Sequence, residues 1–108
     1  LSKIYLIESV DNFQTIYKIG YTNNKTKNRI KQLQTGTDSD LKLICEFETE
    51  FGMKLESILH RYFKYKKIKN EWFSLDLDEV LKFKEICQKI ENNLKSLTEK
   101  NNYYFNKK

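Results

Sequence analysis

The sequence predicts a single small α/β domain, and three observations lead there. Its 108 residues are enough for one compact core and too few for two. Apolar residues alternate with period two in some segments and recur at helical spacing in others, so strands and helices are interleaved. No linker or internal repeat divides the chain, which contains no proline and only three glycines.

The elements follow in the order β-β-α-β-α-(β)-α. KIYLIES (residues 3–9) and TIYKIGYT (residues 15–22) are β-branched and aromatic runs, and the turn-rich VDNFQ between them makes an antiparallel pair. Asn23 to Lys25 then supply helix caps, and Thr26, Ile30 and Leu33 recur at helical spacing until Gly36 ends the helix. A polar loop, TGTDSD, leads to a half-buried third strand over residues 41–49. There Leu41, Leu43, Cys45 and Phe47 alternate against Lys42, Ile44, Glu46 and Glu48. Over residues 53–66, Leu55, Ile58, Leu59, Tyr62 and Phe63 form one apolar helical stripe. EWFSL is a short extended piece whose Trp72 and Phe73 read as core residues closing the sheet. Asp76 or Asp78 caps a long last helix with Val80, Leu81, Phe83, Ile86, Cys87, Ile90 and Leu94 on its apolar side, and the polar tail after Lys95 frays. The expected architecture is a three-stranded, mainly antiparallel sheet flanked by helices, with residues 1–76 as the core unit. The C-terminal helix and tail, residues 77–108, belong to the same domain.

Composition narrows the function classes. The chain is 39% hydrophobic and 32% charged, with a net charge of +5 and a pI near 9.1, which leans toward an anionic partner. Cys45 and Cys87 lie in apolar surroundings and read as buried thiols of a reducing compartment. One histidine and no CxxC pair argue against a zinc site. No apolar run reaches membrane-spanning length and there is no signal-peptide core, so the expected location is intracellular, in the cytoplasm or nucleus of a host cell. The chain does not begin with Met, which suggests flanking segments beyond it.

Charge is segregated. Residues 17–36 contain no acid but carry Lys18, Lys25, Lys27, Arg29 and Lys31. Residues 54–69 carry six cations (Lys54, Arg61, Lys64, Lys66, Lys67 and Lys69) against Glu56 alone. Clustered cations gain from counterion release on a polyanion, and Lys25, Lys27, Lys31, Arg61, Lys64, Lys66, Lys67 and Lys69 are the residues expected on nucleic-acid phosphates. The plain alternative is two solvated, Lys-rich helix faces. Glu56 stands four residues before the only histidine, His60, so on a helix the two share a face. Glu56 reads either as an ion-pair partner of Arg61 or Lys64, or as a hard oxygen ligand for Mg²⁺ or Mn²⁺. His60 reads either as a partly buried structural residue or as a participant in proton transfer.

The motifs favour one set of readings. Lys3-Ile4-Tyr5, then Lys18-Ile19-Gly20-Tyr21-Thr22, then NRIKQLQTG, LESILHRYF and NEWFSL resemble, in this order, the GIY-YIG nuclease superfamily. The resemblance is closest to its phage, bacterial and large-virus branch, in which the second motif is written KIG, and it extends from about Lys3 to Asp76. It implies a metal-dependent endonuclease acting on DNA, duplex or branched, with RNA also compatible. Tyr5 would activate the attacking water, aided by Lys18, whose charge and that of the metal lower the phenol's pKa. Arg29 would stabilise the scissile phosphate, Glu56 would hold one Mg²⁺ or Mn²⁺ ion, and His60 would help with proton transfer or hold the site together.

The sequence departs from the superfamily pattern at several positions. Lys3 stands for the first motif's glycine, Lys18 for a tyrosine, and Leu33 for a histidine, while Asn70 is a candidate for a late asparagine. The rival expectation is a catalytically silent nucleic-acid-binding module of the same fold. A third is an interaction domain that forms a homodimer through the C-terminal helix, with no membrane association.

Overall fold

The computed structural model describes the backbone of residues 1–106 and side chains through Glu99. Five strands form one sheet in the order β3-β1-β2-β5-β4, with every neighbouring pair antiparallel. They are β1 (Ser2–Val10), β2 (Thr15–Thr22), β3 (Asp40–Thr49), β4 (Lys67–Lys69) and β5 (Trp72–Phe73). The helices are α1 (Thr26–Gln34), α2 (Gly52–Tyr62), α3 (Leu77–Leu81) and α4 (Phe83–Asn106). The class is the expected one, with two short strands added to the expected three. No helix among the described residues is long and apolar enough to cross a membrane.

Residues directly opposite in an antiparallel ladder share a face, so the β1–β2 register sorts the side chains. Ile4, Leu6 and Glu8 stand opposite Tyr21, Ile19 and Tyr17, while Tyr5 and Ile7 stand opposite Gly20 and Lys18. On the first face Ile4, Leu6 and Ile19 join Leu55, Leu59 and Phe63 of α2, Phe73 of β5, and Phe83 and Cys87 of α4 in one sealed core. α1 covers the other face, where the Thr26 hydroxyl donates to Glu46 at 2.5 Å and Arg29 reaches Tyr5. Because Phe83 and Cys87 are fully buried in the main cluster, α4 is part of the core.

The structure departs from several expectations. β3 does not alternate throughout: Leu6 pairs with Cys45 but Ile7 pairs with Leu43, so Ile44 is the extra residue of a bulge. The bulge sends Leu41 and Leu43 to the α1 face and leaves Cys45 and Phe47 against the core. The second helix stops at Tyr62, which is 52% exposed and leaves the apolar stripe. Lys64–Lys66 form a 3-10 turn and Lys67–Lys69 an edge strand, so these lysines do not sit on a helix. A charged edge strand also resists pairing with other chains.

The α1 start has no side-chain cap from Asn23 or Asn24; Asn23 instead accepts from Ser2 Oγ at 2.5 Å. Gly36 has no left-handed backbone, and α1 ends in an ordinary turn at Thr35. The last helix is two helices broken at Lys82, with Asp76 and Glu79 forming a capping box at α3 and Leu81 turned to solvent. α4 runs past Lys95, where fraying was expected, as far as Asn106, and residues 107–108 lie outside the described residues.

Candidate active site

Tyr5 and Gly20 face each other across β1 and β2. A Cβ built on Gly20 would come within 2.5 Å of Tyr5 Cζ and closer still to its hydroxyl. The glycine of KIG is therefore a steric requirement: the phenol ring lies across the bare backbone. This seals the ring, leaving Tyr5 only 1% exposed while its hydroxyl borders a polar pocket.

The open edge of β2 brings the second helix to the same place. β5 pairs with β2 only at Tyr17 and Lys18, and the ladder ends with the Ile19 N–H donating to the Glu71 carbonyl at 3.1 Å. Beyond that point α2 satisfies the strand. The Ile19 carbonyl accepts from His60 Nε2 at 2.8 Å, which assigns the ring proton to Nε2, and the Tyr21 backbone N–H stabilises the Glu56 carboxylate. The buried row Leu55, Leu59, Phe63 fixes the roll of α2, so Glu56 and His60 lie along the sheet edge.

The resulting pocket, about 390 Å³, is bordered by Tyr5, Arg29, Gln32, Glu56 and Glu71, with Tyr21 to Asn24 forming its rim. Arg29 Nε donates to Tyr5 Oη over 3.5 Å. Burial pushes the Tyr5 phenol above its ordinary pKa and outweighs the opposing pull of Arg29, so the hydroxyl holds its proton at neutral pH. Glu56 is also raised, by partial burial first and then by the Glu71 carboxylate; His60, the Tyr21 N–H and Lys18 oppose the rise.

Tyr5, Arg29 and Glu56, all three expected from the sequence, are brought together by the fold. Lys18 and His60 have their partners outside this trio. Lys18 is 6% exposed, and its ammonium pairs with Glu71 and sits 5.6 Å from the Trp72 ring. The cation beside the Tyr5 hydroxyl is thus Arg29, not Lys18. His60 donates to the Ile19 carbonyl and packs edge-on against Phe73, with ring centres 5.1 Å apart, which is the site-holding one of its two expected roles.

Glu71 is the group that sequence reasoning missed. It borders the pocket, pairs with Lys18 and acts electrostatically on Tyr5, Arg29 and Glu56. Its one signal in the sequence was its place at the head of EWF. Asn70 instead takes the turn between β4 and β5 with φ of 50°, a left-handed position that asparagine tolerates, and does not border the pocket. Trp72 is likewise not a core residue: Phe73 is sealed, whereas Trp72 is half-buried on the Tyr5 face.

Among the described residues no group of three or more His, Cys, Asp or Glu side chains is arranged to hold a metal ion. The donors at hand are two carboxylates that border the pocket, Glu56 and Glu71, the latter also paired with Lys18. That set fits a hard ion such as Mg²⁺ or Mn²⁺, which takes few protein ligands and completes its shell with water and phosphate.

Lys25, Lys27 and Lys31 are exposed on and beside α1, and Arg61, Lys64, Lys67 and Lys69 are exposed around the end of α2 and β4. Lys66 is instead held by Asp76 at 3.6 Å and Glu79 at 3.4 Å.

Fold and site define a small α/β domain with a phenol, a guanidinium and a carboxylate gathered at a sheet edge. The T5orf172 domain model matches residues 2–91, a span that includes all five strands and every pocket residue. The chain belongs to the T5orf172 domain family. No curated protein and no solved structure matches it.

Proposed function

We propose that this domain is a metal-dependent endonuclease of the GIY-YIG type that hydrolyses DNA phosphodiester bonds. The observation that carries the reading is the convergence of Tyr5, Arg29 and Glu56, from three separate elements, on one polar pocket. Glu56, with Glu71 beside it, would hold a single Mg²⁺ or Mn²⁺ ion, which when bound supplies charge stabilisation at the leaving oxygen.

The remaining roles belong to the chain. Arg29 presents its planar fork to the non-bridging phosphate oxygens, where negative charge grows in the transition state. The Tyr5 hydroxyl, held by Gly20 beneath it and Arg29 beside it, orients the attacking water, and in its ionised form, its own proton lost to solvent, it takes the water's proton. Glu71 on the pocket wall pairs with Lys18 behind it, and this pair sets the local field. His60 positions the α2 turn that carries Glu56. The exposed cations of α1 and of the α2–β4 segment hold the DNA backbone without reading bases.

One observation favours the silent binding module instead: Glu71 neutralises Lys18, the cation expected to activate Tyr5. Incubation with supercoiled plasmid and with a branched substrate, in Mg²⁺, Mn²⁺ or EDTA, separates the two. The nuclease reading expects nicking only with a divalent ion. Glu56→Ala should still bind DNA with an unchanged salt slope and cut nothing. Replacing Lys25 and Lys27 with alanine should weaken binding alike on unrelated sequences and flatten the slope by about one for each phosphate no longer neutralised. Full cleavage in EDTA, or by Glu56→Ala, contradicts the metal assignment. Binding without cleavage of any substrate hands the function to the silent module.

A further inference from the structure

A second cavity opens on the same face of the sheet. It measures about 460 Å³, within the range of small-ligand sites of roughly 300–1,000 Å³, and its walls include Trp72, Lys69, Ile16, Leu41, Ser9 and Gln32. Gln32 borders both cavities, and its Oε1 accepts from Arg29 Nη1 at 3.3 Å. The arginine assigned to the scissile phosphate is therefore tied to the wall of the neighbouring cavity.

Trp72 reaches this cavity because of register. It stands opposite Lys18 on β2, and this pairing sends its indole to the Tyr5 face, while the next residue, Phe73, is sealed in the core. Indole, Ile16, Leu33 and Leu41 give the cavity its apolar part; Ser9, Gln32, Thr37 and Ser39 line it with hydrogen-bonding groups. Lys69 on the wall supplies one positive charge, while Lys18 at the indole is paired with Glu71. Asp11 borders the cavity as well, which disfavours a phosphate inside it. An aromatic and aliphatic wall faced by hydrogen-bonding side chains, with Lys69 at its edge, suits a flat heterocycle attached to a polyanionic strand.

We infer that this cavity receives one unstacked nucleobase of the bound DNA strand, adjacent to the scissile phosphate and packed against Trp72. The inference rests on the nucleic-acid reading above and adds a substrate class: DNA with an unpaired nucleotide at the cutting position, such as a branch point or single strand, is preferred over continuous duplex, because no pairing has to be broken to fill the slot.

Trp72 is the only tryptophan in the chain, so its emission reports on the slot without a label and without turnover. In EDTA, the wild-type protein is titrated with a single-stranded oligothymidylate and with an abasic oligomer of the same length and charge. Both should bind. Only the base-bearing strand should quench Trp72, and it should bind about fivefold or more tightly, the scale of one stacked base. Trp72→Leu should erase that preference while leaving abasic binding unchanged, and Trp72→Phe should keep most of it. Equal emission changes with both oligomers, or equal weakening of both by Trp72→Leu, would overturn the base slot alone. Failure to bind either strand would overturn the nucleic-acid reading and the slot with it.

Discussion

The two faces of the β1–β2 pair are both largely buried and differ in what they bury. On one, Ile4, Leu6 and Ile19 are wholly buried against α2, α4 and β5. On the other, Tyr5 is 1% and Lys18 6% exposed, yet both carry polar groups that need partners, and they find them in Arg29 and Glu71. Burial alone thus does not separate structure from function. What separates them is whether the buried atoms gain by leaving water or must be compensated for it. The first face gains on balance, although burial also raises Tyr17 there, beside Glu8. On the second face burial raises Tyr5, and at the sheet edge it raises Glu56; these two raised groups border the pocket, whereas Tyr17 does not.

The largest effect should come from the apolar face. Leu59→Ala removes a wholly buried side chain and should cost about 2–5 kcal/mol in urea unfolding, with DNA affinity of the remaining folded protein unchanged. A loss of affinity beyond the folded fraction would show that the faces are coupled. Next comes Gly20→Ala, whose methyl would collide with the Tyr5 ring and should cost about 1–3 kcal/mol. Unlike Leu59→Ala, it should also depress cleavage in folded protein, because Tyr5 has to move. Truncating Tyr5 to alanine in the same chain should recover part of the stability, a non-additivity readable in a double-mutant cycle.

The smallest effect has the opposite sign. The folded-state pKa of Glu56 lies above its unfolded value, so its contribution to stability is complete below the unfolded pKa near 4.5 and is lost as pH rises through the folded value. Glu56→Gln mimics the protonated form and should raise the melting temperature at pH 7, with the gain vanishing below about pH 4. A variant that melts lower at pH 7 would mean that the carboxylate is well compensated and the site carries no strain.

What could be read from the sequence was what depends on near neighbours. β1 and β2 show in their alternation, and Leu55, Leu59 and Phe63 show the roll of α2, which carries Glu56 to the sheet edge. The Ile44 bulge did not show, because alternation looks continuous until a partner strand sets the register. β4 is three exposed residues held only by pairing with β5, so it has no pattern of its own. Glu71 is one acid among several after residue 70, and its importance arises when β5 pairs with β2 and places it on Lys18, 53 positions earlier. Lys18 stood out by its charge and its place in KIG, whereas its partner did not, and with the partner went its expected role beside Tyr5.

The central claim is that the Tyr5 hydroxyl serves chemistry while its ring serves packing, and Tyr5→Phe separates the two. The ring still covers Gly20, and only the long hydrogen bond from Arg29 is removed, so unfolding free energy should change by no more than about 1 kcal/mol. DNA affinity and its salt slope should match the wild type. Cleavage of plasmid or branched DNA in Mg²⁺ should fall by about a hundredfold or more, the scale of a positioned proton-transfer group. A folded Tyr5→Phe protein that cuts at the wild-type rate would contradict the account.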